Sequence, residues 1–149
     1  MIAKRTCRKL VKIINKSIEM AFTLFPSAYE SRQRYRTFHF AFIWRRNNLL
    51  SIGLNQPYKP NHKALYFAKK FEIPNKRFNF LHAETDAIRK LWGRSMIDSS
   101  MNLVVLRLNA AGQLKNSRPC KFCLPIIRAL NFGKIFFSNE KGEVVRLND

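Results

Sequence analysis

An α/β fold built on a mixed sheet is what this sequence of 149 residues predicts, and three observations carry that expectation. Leu10, Ile13, Ile14, Ile18, Ala21, Phe22 and Phe25 recur at helical spacing. Thr37 to Arg45 and Leu49 to Leu54 are strand-like runs joined by an Asn47-Asn48 turn signal. Asn102 to Leu108 is a mostly apolar run suited to a central strand buried on both faces. The full order reads α-β-β-α-β-α-β-β. It implies a three-layer α/β/α sandwich with a mixed five-stranded sheet, in one domain covering residues 1–149.

The first helix is expected over residues 10–25, within a basic amphipathic N-terminal segment 1–25, and Pro26 is expected to end it. Ser27 to Arg36 reads as a polar, Arg-rich connector. Residues 58–79 are basic, aromatic and punctuated by proline, which predicts a loop excursion with a short helix at Lys63–Lys70. Leu81 to Trp92 returns to helical spacing, with Glu84 and Asp86 in its first turns, where the positive helix end favours acids. Trp92 is expected in the core.

Ala110 to Lys115 is turn-prone. Ser117 is a candidate N-cap for a helix from about Cys120 to Leu130, with Gly133 just past its end. Lys134 to Ser138 and Glu143 to Leu147 read as the last two strands. Only Asn139 to Gly142 separates them, so they must pair antiparallel, because a parallel crossover needs a dozen residues or more.

The charge is the anomaly. Twenty-eight Lys and Arg stand against nine Asp and Glu, a net charge of +19. Such an imbalance favours anionic partners such as nucleic acid, nucleotide phosphate or an acidic membrane, and a phage-like or organellar composition bias is the plainer reading. Thirteen Phe, two Trp and four Tyr exclude disorder as the main state. No apolar run reaches a membrane helix, and no membrane partner is expected. Three cysteines are an odd count in a chain with no need of disulfide staples, which points to a reducing cytoplasm.

Two motifs carry chemistry: His82-Ala83-Glu84 and Pro119-Cys120-Lys121-Phe122-Cys123. Each opens an expected helix. A catalytic zinc takes three protein ligands and a water, and His82, Cys120 and Cys123 supply such a set, one ion per chain. Cysteines at i and i+3 share a helix face, and a helix N-terminus favours the thiolate. Glu84, two residues beyond His82, stands close enough to exchange a proton with water without acting as a ligand. Taken singly the motifs are weak: C-x-x-C also serves redox pairs and structural zinc sites.

Taken together and in order, they resemble the zinc-dependent cytidine and deoxycytidylate deaminase superfamily, whose H-x-E…P-C-x-x-C signature they match. The resemblance runs from about Thr37 to Leu147 and includes the element order. It implies zinc on His82, Cys120 and Cys123, with Glu84 as proton shuttle. It also implies that Asn55, in Ile52-Gly53-Leu54-Asn55-Gln56-Pro57, holds the substrate sugar and that the Ala83 amide binds the base edge. Arg118, just before the Pro-Cys pair, is a candidate for a substrate phosphate. His39 reads as a packed histidine and His62 as a surface contact.

The substrate class is left between two readings. Residues 31–71 contain no acid and nine bases, namely Arg32, Arg34, Arg36, Arg45, Arg46, Lys59, Lys63, Lys69 and Lys70. Tyr35, Tyr58, Tyr66 and Phe67 are interleaved with them, which is the composition of a single-strand groove for DNA or RNA. The antiparallel ending and the chain's end at Asp149 resemble instead the free-nucleoside cytidine deaminases and some RNA-editing and toxin deaminases, and they favour cytosine over adenine. Single-stranded nucleic acid leads, free cytidine, deoxycytidine or the monophosphate follows, and a non-catalytic zinc-stapled binding module comes third. A homo-oligomer is compatible with each.

Overall fold

The computed structural model describes residues 7–31, 37–60, 66, 69–72 and 80–148, with the side chains of 31, 56–60, 80 and 81 outside that description. Its elements are α1 (Arg8–Ser31), β1 (Thr37–Arg45), β2 (Asn48–Leu54), β3 (Gln56–Pro60), β4 (Phe80–Leu81), α2 (Ala83–Leu91), β5 (Met101–Asn109), β6 (Leu114–Lys115), α3 (Cys123–Ala129), β7 (Lys134–Ser138) and β8 (Val144–Arg146). The result is a mixed α/β structure with three helices and a six-stranded mixed open sheet among the described residues.

The sheet runs β2-β1-β5-β7-β8, with β6 added on β5. The expected five strands are therefore corrected to six. The Ala110–Lys115 segment turns and then pairs Leu114 and Lys115 with Leu108 and Arg107. β1 is antiparallel to β2 and β5, β5 is parallel to β7, and β7 is antiparallel to β8, as the short Asn139–Gly142 link requires. β3 and β4 form a separate two-stranded ribbon, which corrects the expected 58–79 loop at its start, since residues 58–60 belong to β3. Tyr66, Lys69 and Lys70 are helical, and the rest of the expected Lys63–Lys70 helix lies outside the described residues.

Strand alternation divides the apolar residues between two cores. Ala41, Ile43, Leu103 and Val105 pack with Ala87, Ile88 and Leu91 of α2 and with Cys123, Ile126 and Ile127 of α3. Phe38, Phe40, Phe42, Trp44, Val104, Leu106 and Leu108 face the other way and pack on Ile13, Ile14, Ala21 and Ala28 of α1. Each fully buried side chain of this size contributes roughly 1.5–3 kcal/mol. A buried polar tie fixes α1 on β1: the Trp44 Nε1–H donates to Ser17 Oγ at 2.9 Å, and that hydroxyl donates to the Ile13 carbonyl at 2.8 Å.

Four local expectations are corrected. Pro26 lies inside α1 instead of ending it. Proline removes one helical hydrogen bond. The turn beyond it is held on the sheet by buried Ala28 and by the rings of Phe25, Tyr29 and Phe38, whose centroids lie 5.3 to 5.9 Å apart. Ser117 does not cap α3, which starts after Phe122; the Ser117 hydroxyl is buried between strands, donating to the Val105 carbonyl at 2.6 Å. Asn131, with φ 58°, and not Gly133 takes the left-handed position after α3. Trp92 caps the C-terminus of α2 and is 40% exposed, so it is not core.

α2 rests directly on β2. A Cβ at Gly53 would overlap the Ala83 carbonyl and the Ala87 amide, so only glycine permits this approach. Ser51 Oγ donates to the Ala87 carbonyl at 2.7 Å, and the Leu54 amide donates to the Asp86 carboxylate at 3.0 Å. Gly53→Ala is expected to destabilise the protein by about 3 kcal/mol, since backbone must move; urea unfolding with unchanged m-value checks it.

Candidate metal centre

The C-terminal ends of β5 and β7, the start of β1 and the end of β2 share one edge of the sheet. α2 starts at the same edge, and His82 is its N-cap. The Thr85 hydroxyl locks the His82 backbone there, accepting from its N–H and donating to its carbonyl at 3.1 Å each. The approach to α3 delivers the two cysteines. Cys120 precedes the helix and Cys123 is its first residue, which corrects the expectation that both lie on one helix face. A single turn joins them: the Leu124 amide donates to the Cys120 carbonyl at 2.9 Å, and the Cys123 amide points to Cys120 Sγ at 3.5 Å.

The segment leading to Cys120 is fixed from behind. Ser117 Oγ and Ser138 Oγ lie 2.8 Å apart, the Ser138 amide donates to Ser117 Oγ at 2.8 Å, and Ser138 Oγ donates to the Lys115 carbonyl at 2.6 Å. The donor atoms of His82, Cys120 and Cys123 consequently all lie within 4.8 Å of one another. Cys120 Sγ is 3.4 Å from His82 Nδ1. This group could hold a metal ion.

The electrostatics fit that use. The Cys123 thiol's hydrogen bond pulls Cys120 down to about 4, against its burial and with help from His82. Cys123, bonded to that thiolate and buried, is pushed upward. Burial pulls the His82 imidazole down, but the Cys120 hydrogen bond and charge outweigh it and the net shift is upward. Three soft or borderline donors therefore converge with one thiolate already formed.

Glu84 is buried in the first turn of α2 and is not one of the three donors. Burial raises its carboxyl to about 7, opposed by its own backbone hydrogen bond and by His82. A carboxyl balanced near neutrality beside a cation site can both accept and return a proton.

The other expected residues are dispersed. Ala83 is the buried first residue of α2. Asn55 directly follows β2 and bridges to β1: its Oδ1 accepts from the His39 amide at 3.0 Å and its Nδ2 donates to the Thr37 carbonyl at 3.3 Å. Arg118 is exposed, with its guanidinium 5.7 Å from the Phe137 ring centroid.

Arg45 pairs with Asp98 at 3.7 Å, and Arg46 forms the β1–β2 turn. Both sit at the far end of a nine-residue strand, about 26 Å from its start. They do not border the donor group, contrary to the single-groove expectation. Lys70 stands over the Trp92 ring at 4.2 Å, beyond the C-terminus of α2, and Lys69 is exposed beside it. Arg32, Arg34, Arg36, Lys63 and His62 lie outside the described residues, as does the side chain of Lys59.

Two residues lie near this edge beyond the expected set, His39, read from the sequence as a packed histidine, and Arg107. His39 is half-buried, and burial, Arg107 and His82 drive its imidazole down to about 4, with Cys120 opposing. Arg107 is its register partner on β5. The available signal was alternation: each is the polar residue on the inward face of an otherwise apolar strand.

No known protein family and no curated protein matches this chain. The site therefore stands on its own geometry.

Two outcomes are expected. The purified protein carries one metal ion per chain; the Cys120→Ser, Cys123→Ser double variant loses it, and the melting temperature falls by about 10 °C. Elemental analysis beside a thermal melt checks this, and full metal retention overturns the donor assignment. The second concerns pH in the metal-free, reduced protein. A carboxyl whose folded pKa of about 7 exceeds its ordinary 4.5 binds more protons when folded. Its contribution is full below 4.5 and is lost as pH rises through 7. Glu84→Gln is therefore expected to gain about 3 kcal/mol relative to the parent between pH 5 and pH 8, measured by chemical unfolding in EDTA.

Proposed function

We propose that this protein is a zinc-dependent hydrolytic deaminase that converts cytosine to uracil, acting first on cytosine in single-stranded nucleic acid. The observation that carries the reading is the buried Glu84 carboxyl in the first turn of α2, two residues from His82 and outside the His-Cys-Cys donor group. A structural metal site has no use for such a carboxyl. In this reading the architecture is the three-layer sandwich of the cytidine deaminase-like fold, with α1 on one face of the sheet and α2 and α3 on the other.

His82, Cys120 and Cys123 are the residues that would hold zinc, since two cysteine sulfurs and an imidazole match its preferred donors. When bound, zinc supplies a water reactive at neutral pH. Glu84 takes a proton from the attacking water as its oxygen bonds to C4 of cytosine, and gives that proton to the ring nitrogen N3. The C4–N bond then breaks, a second proton passes through Glu84 to the leaving amine, and water plus cytosine gives uracil plus ammonia. The Asn55 bridge to β1 and the Ala83 amide form the rim on which sugar and base edge would rest.

The net charge of +19 supports the polynucleotide as substrate. One observation favours a second reading, the free nucleoside or its monophosphate: β7 and β8 pair antiparallel at the sheet edge. Glu84→Ala is expected to lower turnover about a thousandfold while the metal stays bound. Zinc-loaded protein assayed for uracil with cytidine, dCMP, single-stranded DNA and RNA checks it. Near-parental activity in Glu84→Ala, or no uracil from any of the four, overturns the deaminase reading.

A further inference from the structure

Met101, Leu103 and Val105 of β5 pack against α2 and α3, and Arg107 is the next residue on that face. It comes where the core ends and the donor edge begins. Across the β1–β5 ladder it is paired with His39, which lies within electrostatic reach of His82 and Cys120. One side chain thus separates Arg107 from the metal centre.

Its guanidinium is only partly satisfied. Nη1 donates to the Asn116 carbonyl at 3.3 Å, while Nε is buried with no partner among the described residues. The described ion pairs join Arg45 to Asp98 and both Arg89 and Lys90 to Asp86; none includes Arg107. Arg107 is half-buried, and an N–H held away from water without an acceptor is costly, a cost that an anion reaching the guanidinium would remove. The planar fork of arginine matches phosphate oxygens in a way that lysine does not. The anchoring bond to Asn116 holds the fork still, so binding loses little side-chain freedom.

We propose that Arg107 binds a phosphate group of the substrate, so that the site takes a phosphorylated nucleoside in preference to a bare one. The proposal rests on the deaminase reading for the base at the donors, and the phosphate chemistry is common to a 5′-monophosphate and to a phosphodiester of a strand. The sheet edge orders the contacts: donors for the base, the Asn55 bridge beside His39 for the sugar, Arg107 for the phosphate.

The test uses zinc-loaded Glu84→Gln protein, which binds without turnover, titrated calorimetrically with cytidine, dCMP and a short single strand containing one cytosine. The expected result is binding at least about tenfold tighter for a phosphate-bearing ligand than for cytidine. Adding Arg107→Gln should bring the ligands level while leaving cytidine affinity intact. A gain for dCMP identifies a terminal phosphate and a gain for the strand a phosphodiester; both support the assignment.

Equal affinities in the Glu84→Gln parent, or a preference that survives Arg107→Gln, overturn it. Should Arg107→Gln fail to fold by circular dichroism, Arg107→Lys decides: it keeps the charge and loses the fork, so the preference should drop about threefold or more, and an unchanged preference overturns the proposal. Failure of the deaminase reading is separate, since it shows as absence of uracil with unaltered Glu84 while Arg107-dependent phosphate binding persists.

Discussion

The contact of α2 on β2 is the constraint on which the site depends. Gly53 lets the Ala83 carbonyl and Ala87 amide come closer than any side chain permits. That approach fixes where α2 begins, and therefore where His82 and Glu84 stand relative to the sheet. Asp86 reinforces it from the helix side. Its carboxylate accepts the Leu54 amide and pairs with Arg89 at 2.7 Å and Lys90 at 3.2 Å, although its side chain is only 2% exposed. A buried carboxylate with three charge-matched donors is affordable where an unpaired one is not. The same bonds end β2 at Leu54 and deliver Asn55 to the rim.

The cysteines reach that point by a different route. Nothing in the 116–122 segment is helical, so Cys120 is positioned by the serine network beneath it and by the turn to Cys123. Side-chain hydroxyls here stand in for ladder hydrogen bonds where β7 stops and β6 continues along β5. The network is fully buried at Ser117 and Ser138, which makes each lost hydroxyl costly. Rigid backing beneath Cys120 and a locked backbone at His82 give a donor group whose spacing is set before any ion arrives.

Among the described residues the basic surplus is distributed, not gathered. Arg45 and Arg46 occupy the sheet end opposite the donors, and Lys70 stands on Trp92 and near Tyr66 beyond the C-terminus of α2. Charge count alone therefore overstates how much cationic surface borders the site. Arg107, the β5 register partner of His39, lies inside a strand and outside every charge run.

The sequence by itself determined the order of the longer strands and helices, the bounds of β1 and β7, the antiparallel pairing of β7 with β8 and the His-Cys-Cys donor set, because periodicity, turn length and donor chemistry are local properties, while the short strands β3, β4 and β6 escaped it. It also indicated that the two chemical motifs begin at helix starts. Only the tertiary structure decided what depends on packing across the chain. Pro26 stays helical because the rings of Phe25, Tyr29 and Phe38 hold the next turn to the sheet. Trp92 faces solvent because α2 ends one residue before it could turn inward. His39 and Arg107, far apart in the chain, meet because β1 and β5 pair in one register, and a shift of one residue would turn either side chain to the opposite face.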